Sequence, residues 1–255
     1  MMTRDGKLFM PMTKNKFIYL QAPWIAPSNI HTRITTVHNG CNPALHTGED
    51  RAKVLAHREQ IRQHLPTEPL WLNQTHSTTV INWDNTCQTD SPLDADAAIS
   101  TQSGKVCVVM TADCLPILLT NRHGDFVAAI HAGWRGLNAG IITNTLNQLR
   151  QFATDEIVAF IGPAINQECF EVGNEVRESF MAQDNSCQQF FIPAGNPNKW
   201  LADLRGIAAH WLLAAGLSSK NISNPPICTK CTPEWFYSYR ANPNSGRIAT
   251  MIWKD

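Results

Sequence analysis

Three polar interruptions between apolar runs carry the side chains best suited to chemistry. Asn73-Gln74-Thr75-His76-Ser77 precedes an apolar stretch at Thr79, and Thr111-Ala112-Asp113-Cys114-Leu115-Pro116 separates two apolar runs. Ala129-Ile130-His131-Ala132-Gly133-Trp134-Arg135-Gly136 leads from a third run into a helical pattern at Leu137. A thiolate and two imidazoles make a donor set for Zn²⁺, with a fourth position left for water or substrate. The same Cys114 and His131 could instead serve as nucleophile and base without a metal. A Cys between apolar strands can also be an inert small hydrophobe, and a His at a strand end plain structure. The separations, 38 residues from His76 to Cys114 and 17 more to His131, match neither a zinc finger nor an HExxH helix. A shared site would have to be assembled by the fold, and spacing alone leaves all three readings open.

The elements that must position these residues can be read from periodicity. Short runs rich in β-branched and aromatic residues predict strands over Phe17–Leu20, Arg33–Val37, Thr79–Trp83, Val106–Thr111, Leu115–Leu119, Phe126–His131, Ile157–Ile161, Gln189–Ile192 and Arg247–Trp253. Apolar residues recurring at three and four predict helices over Leu137–Leu149, Glu171–Ala182 and Trp200–Ala215, the last capped by Gly216, and a weaker one over Glu49–Leu65. Strands outnumber helices and alternate with them from Phe126 onward, which suggests a layered α/β fold with a mixed β-sheet flanked by helices. No repeat or low-complexity tract appears, and the Pro/Asn/Gly clusters are too short to be linkers, so residues 1–255 read as a single domain.

Composition limits the function classes. Lys plus Arg and Asp plus Glu are 21 each, so there is no global basic field for nucleic acid or an anionic membrane. No apolar run approaches a membrane span, and Met1–Phe17 lacks the apolar core of a signal peptide. Eight cysteines scattered through a chain of 255 residues favour reduced thiols in a cytoplasmic protein. Cys228-x-x-Cys231, with no second such pair, reads most simply as two thiols in a loop.

The three segments, taken together, resemble the signatures of the YfiH/laccase-domain family. Further matching stretches are Ile161-Gly162-Pro163-Ala164-Ile165, Phe170-Glu171-Val172-Gly173, Ala202-Asp203-Leu204, Cys228-Thr229, Phe236-Tyr237-Ser238-Tyr239-Arg240 and Ser245-Gly246-Arg247-Ile248-Ala249. The resemblance runs close to full length from about Arg33. It implies a metal, taken as zinc, on His76, Cys114 and His131, with Cys114 and His131 also in catalytic positions. The implied activity is phosphorolysis of purine nucleosides (adenosine, inosine and 5′-methylthioadenosine) to free base and ribose 1-phosphate, with adenosine deamination alongside. Older descriptions of the family imply a copper-dependent polyphenol oxidase, and a link to peptidoglycan precursor editing implies a cysteine hydrolase using Cys114 and His131. Copper is the poorer fit, because a laccase needs further copper ions held by many histidines, and the chain has nine with no His-x-His pair.

A phosphate partner calls for arginine, whose planar fork binds oxyanions in a bidentate way. Arg33 and Arg58 match arginines of the family's early loop and first helix, and Arg135 lies close to a helix N-terminus, an anion-favouring position; all three are candidates, each with a surface or structural ion pair as the plain alternative. Asp113 could support Cys114 or cap the turn it sits in. Trp134 could line the cleft, and Glu175 reads as a solvated helix residue. The sequence departs from the family over Ile34–Leu45, which is shorter and lacks the usual glycine pair, so nucleoside specificity there could differ.

Overall fold

The computed structural model describes residues 11–14, 17–86, 91–153 and 155–255; Cys87 and most of the Met1–Phe17 segment lie outside them. In chain order the strands are β1 (Pro11–Lys14), β2 (Phe17–Leu20), β3 (Ile30–Ile34), β4 (Leu72–Asn73), β5 (Val80–Asn82), β6 (Leu93–Asp94), β7 (Ala97–Ser100) and β8 (Cys107–Thr111). There follow β9 (Leu115–Asn121), β10 (Val127–Ala132), β11 (Ile157–Ile161), β12 (Glu171–Gly173), β13 (Phe191–Pro193), β14 (Lys199–Ala202), β15 (Ile222–Ser223) and β16 (Ile248–Lys254). The helices are α1 (Arg51–Arg62), α2 (Trp134–Ala139), α3 (Ile141–Leu149), α4 (Asn174–Gln183) and α5 (Leu204–Ala214). None of the described helices is long and apolar enough to cross a membrane.

Two large sheets carry the fold. One is antiparallel, in the order β1-β2-β3-β16-β8; the other is mixed, β15-β11-β9-β10-β7-β5, with parallel pairs at β11/β15 and β5/β7. Period-two alternation sorts each strand's side chains between layers. In β8, Cys107 and Val109 face the second sheet, while Val108 and Met110 turn outward with Met251 and Trp253 against Ile61 of α1. In β9, Leu118 points between the sheets, and Leu115, Ile117 and Leu119 point to the helical side, where α2, α3, α4 and α5 pack. The resulting order is helix, sheet, sheet, helices. Strands buried on both faces explain why β8 to β11 read as near-continuous apolar runs rather than alternating ones.

The expected mixed α/β architecture is present, with several boundaries moved for identifiable reasons. The strand expected at Arg33–Val37 runs Ile30–Ile34, with Ile30, Thr32 and Ile34 inward, and Val37–Asn39 is a 3₁₀ turn. The helix expected at Leu137–Leu149 is two, because Gly140 between them takes φ +99°, outside helical space. The first residues of the helices expected at Glu171 and Trp200 form β12 and β14, which pair with each other, and β14 pairs on its other side with β13 in a small sheet. Asp203 then starts α5 properly, its carboxylate accepting the Gly206 N–H at 2.8 Å. At Gln189–Ile192 only the end is strand; Asn185–Phe190 is a 3₁₀ helix. The buried strand β7, Ala-Ala-Ile-Ser, escaped notice because its small residues carry no β-branched signature beyond Ile99.

Leu118 lies wholly buried between the sheets, so Leu118→Ala should cost about 2–5 kcal/mol by lost transfer and the cavity left behind. Urea denaturation checks this as a lower midpoint at unchanged slope.

Candidate functional site

The chain passes from one large sheet to the other between Thr111, which ends β8, and Leu115, which begins β9. Asp113, in the middle of that crossing, has φ +90°, an unfavourable value for a residue with a Cβ. Neighbours hold it there. Its buried carboxylate accepts Thr229 Oγ1 at 2.6 Å, Ser238 Oγ at 3.0 Å and the Arg240 N–H at 2.7 Å, and its carbonyl accepts the Ile165 N–H at 2.9 Å. Bonds of this number over-determine a strained backbone, and strain so held gathers at functional sites. Asp113 thus both caps the turn and sets the direction in which Cys114 leaves it.

His131 lies next to the end of β10, on the strand face that looks between the sheets. In the β9/β10 register Ala132 is opposite Leu115, so Cys114 arrives beside Gly133. A Cβ on Gly133 would stand 2.8 Å from His76 Nε2 and 3.1 Å from Cys114 Sγ, so only glycine leaves room for the two side chains. His76 comes from the loop after β4 and has φ +60°. Its loop is tied to β8 by the Gln74 amide, which donates to the Met110 carbonyl and accepts from the Met110 N–H, both at 2.7 Å.

Asp96, which sequence reasoning missed, joins the two histidines. It is fully buried, accepts from His131 Nδ1 at 2.8 Å, and takes the backbone N–H groups of Thr75, His76 and Ser77 and the Ser77 hydroxyl. Burial by itself would raise its carboxyl, but the bonds from His131 and Ser77 bring it down to about 2. With Nδ1 of His131 engaged, Nε2 is the nitrogen free for the site. The His76 and His131 rings stand 4.7 Å apart, Cys114 Sγ lies 3.8 Å from His76 Nε2, and one atom from each of the three residues falls within 4.8 Å of the others. Ligands sharing a tetrahedral zinc ion would lie roughly 3.5 Å apart, from metal–ligand distances of about 2.0–2.3 Å.

The electrostatics favour ionised sulfur. Burial pushes the Cys114 thiol up, yet the His131 and His76 imidazoles outweigh it and draw it down to about 6. Burial pushes His131 down, while the Cys114 sulfur and the Asp96 carboxylate hold it up at about 9. The thiolate is the form that binds metal and the form that attacks an electrophile.

The trio opens into a cavity of about 440 Å³, within the range of small-molecule sites. Its wall includes Trp134, Phe170, Tyr239 and three arginines, Arg135, Arg240 and Arg247. Arg33 and Arg58 do not line it. Arg33 lies over the Tyr19 and Trp253 rings and donates to the His64 carbonyl, while Arg58 lies over Trp71 and holds the early loop through the Pro43 carbonyl at 2.8 Å. That early loop, short as it is, sends His46 to the cavity wall; burial and the cations Arg247 and Arg58 depress its imidazole. Arg240 and Arg247 lie in sequence stretches that carry the family resemblance, so an oxyanion-directed reading of those stretches could have found them. Asp96 gave only a faint signal, an Asp-Ala-Asp just before a strand. Glu175 is exposed at the start of α4.

Comparison with known proteins places these features in a family. A family model described as multi-copper polyphenol oxidoreductase laccase matches residues 30–255. A purine nucleoside phosphorylase from Pseudomonas aeruginosa is 36% identical over 243 residues, covering 92% of this chain and 98% of its own. Purine nucleoside phosphorylase YfiH from Escherichia coli is 42% identical over 216 residues, 85% of this chain and 84% of its own. An adenosine deaminase from an unknown prokaryotic organism is 34% identical over 230 residues, covering 85% and 88% of the two chains. The crystal structure of a Neisseria meningitidis protein superposes with a TM-score of 0.85 at 37% identity, covering 93% of this chain and 99% of that one.

Asp96→Asn keeps the shape but loses the charge that orients His131; if His76, Cys114 and His131 take up added zinc, that affinity should fall roughly 10- to 100-fold in a chelator competition. In protein stripped of metal, iodoacetamide should alkylate Cys114 at a rate that climbs as pH rises through about 6, where the thiolate forms, and levels off by neutral pH. A climb delayed to the ordinary thiol range would mean that the imidazoles do not stabilise the thiolate.

Proposed function

The chain belongs to the multi-copper polyphenol oxidoreductase laccase family, and from that premise we propose that it is a cytoplasmic, zinc-dependent purine nucleoside phosphorylase. It takes adenosine, inosine or 5′-methylthioadenosine with phosphate to the free base and the corresponding ribose 1-phosphate, and deaminates adenosine as a second activity. One observation carries this reading: a thiolate and two imidazoles open on a cavity whose wall also bears Arg135, Arg240 and Arg247.

The donor set fits zinc. Cys114 supplies a soft thiolate, and His76 and His131 offer Nε2, the latter oriented by Asp96. Zinc held there would supply Lewis-acid polarisation at its open coordination position. The groups that could hold a metal bring at most two histidines together among the described residues, which argues against the several-copper chemistry of the family's name.

The rest falls to the chain's own side chains. In phosphorolysis a phosphate oxygen bonds to the ribose anomeric carbon as the bond to the purine nitrogen breaks, its electron pair leaving with the base. The three arginines bind the phosphate, offset its charge and hold it against the ribose. Trp134, Phe170 and Tyr239 offer flat apolar faces for the base. His46, kept unprotonated at neutral pH, can accept a hydrogen bond from a substrate hydroxyl. Of the arginines singled out for phosphate, Arg135 keeps that role in this proposal, and Arg240 and Arg247 join it; Arg33 and Arg58 act on the surrounding scaffold.

A second reading has support from the Cys114–His131–Asp96 alignment, which has the order nucleophile, base and orienting carboxylate of a thiol hydrolase. Metal dependence separates the two.

Zinc-loaded protein given adenosine and inorganic phosphate should release adenine and ribose 1-phosphate, followed by chromatography. Arg247→Ala should raise the KM for phosphate roughly 10- to 100-fold, as expected when a charge-assisted bond of about 1.5–3 kcal/mol is lost. Base release that needs no phosphate, or that survives complete chelation, would favour the thiol hydrolase.

A further inference from the structure

Three thiols outside the cavity meet at one point. Cys169 ends the 3₁₀ turn Gln167–Cys169, and Cys228 and Cys231 come from a turn some 60 residues later in the chain. Their sulfurs lie within 4.8 Å of one another, with Cys169 and Cys231 Sγ only 3.1 Å apart. The Cys-x-x-Cys pair is therefore not two isolated thiols in a loop, as its sequence suggested; the fold adds a third. Cys228 is buried, Cys169 half-buried and Cys231 exposed, so the cluster has an inner wall and an open side.

Thiols are weak hydrogen-bond donors and weak acceptors, so three facing sulfurs gain little from one another. Burial and the facing sulfurs push the Cys169 thiol up, to about 12, whereas the backbone around Cys228 is arranged for negative sulfur. Cys228 Sγ accepts the Asn166 N–H at 3.4 Å and also the N–H of Cys231, three residues on. N–H groups directed at a sulfur stabilise its anion. Soft sulfur donors select zinc or copper(I) over hard cations.

We propose that Cys169, Cys228 and Cys231 form a second metal site that takes one soft cation, zinc or copper(I), through three thiolates, with a fourth position toward solvent on the Cys231 side. Binding deprotonates whichever of the three are still thiols, releasing their protons to solvent with no change of oxidation state. The ion would clamp two segments already joined by backbone bonds, Ala164 N–H to the Ile227 carbonyl at 3.2 Å and Thr229 N–H to the Ala164 carbonyl at 3.0 Å. Both segments border the cavity. Cys169 precedes Phe170 of its wall, and Thr229, next to Cys228, donates to Asp113.

The test compares four full-length proteins: wild type, Cys114→Ala, Cys231→Ser, and the double variant. Each is reduced, stripped, reloaded with zinc or, anaerobically, with copper(I), and desalted before metal analysis. The exposed position of Cys231 makes its serine variant the one least disturbing to folding. Cys231→Ser should hold one equivalent less than wild type, and the double variant one less than Cys114→Ala, whatever the first site contributes. Cobalt(II) loaded into Cys114→Ala should give a thiolate charge-transfer band that Cys231→Ser removes, and whichever of zinc and copper(I) displaces cobalt at the lower concentration is the preferred ion. Equal metal content with and without Cys231, with Cys169 and Cys231 titrating as free thiols in reloaded Cys114→Ala, overturns the proposal. A Cys169–Cys231 disulfide that persists under the reducing conditions and excludes the ion overturns it as well.

Discussion

A single buried carboxylate holds the candidate centre in register. Asp96 has no exposed surface, and taking it out of water without partners would cost several kcal/mol. The fold meets that cost with donors from both sides of the site: the His131 ring from the end of β10, and the three consecutive N–H groups and one hydroxyl of the Thr75–Ser77 loop. The side chain of one histidine and the backbone of the other answer to the same two oxygens. Anything that shifts Asp96 shifts both rings.

Cys114 reaches that pair by another route. The chain must leave one sheet and enter the other within Ala112-Asp113-Cys114, and the left-handed Asp113 makes the turn sharp enough. The bonds that tolerate this conformation come from Thr229, Ser238 and Arg240, far along the sequence, so the C-terminal part of the chain is fastened to the centre through the residue beside its sulfur. Arg240 then donates to the Glu171 carbonyl and lies over Phe170, which lines the cavity. The Cys169, Cys228 and Cys231 thiols follow the same logic, since segments distant in sequence bring them to a shared point.

Charge divides the site in two. Thiolate and carboxylate lie on the inner side, with an imidazole between them, while the guanidinium groups of Arg135, Arg240 and Arg247 are arrayed along the wall. Burial lowers the Arg247 guanidinium, yet the nearby Cys114 sulfur supports its charge, so the two halves stabilise each other. A cavity with an anionic floor and a cationic wall suits a cation held below an oxyanion.

How far the sequence alone reached follows from which forces are local. The apolar runs of β8 to β11 and the periodic face of α3 were legible because hydrophobic burial leaves its pattern within a few residues. His76, Cys114 and His131 were legible as reactive types at element junctions, and their motifs carried the family resemblance. Asp96 was not, since its role lies in accepting bonds from residues up to 35 positions away. Nor was the grouping of Arg135 with Arg240 and Arg247, or the separation of Arg33 and Arg58 from the cavity, because a guanidinium beside an aromatic ring and one lining a pocket look alike in a string. The sequence by itself determined which residues could do chemistry and the period of the elements that bear them. Tertiary structure decided which of them meet, because convergence depends on sheet register, on the crossing at Asp113 and on the missing Cβ of Gly133, and no local pattern records distances between segments that far apart.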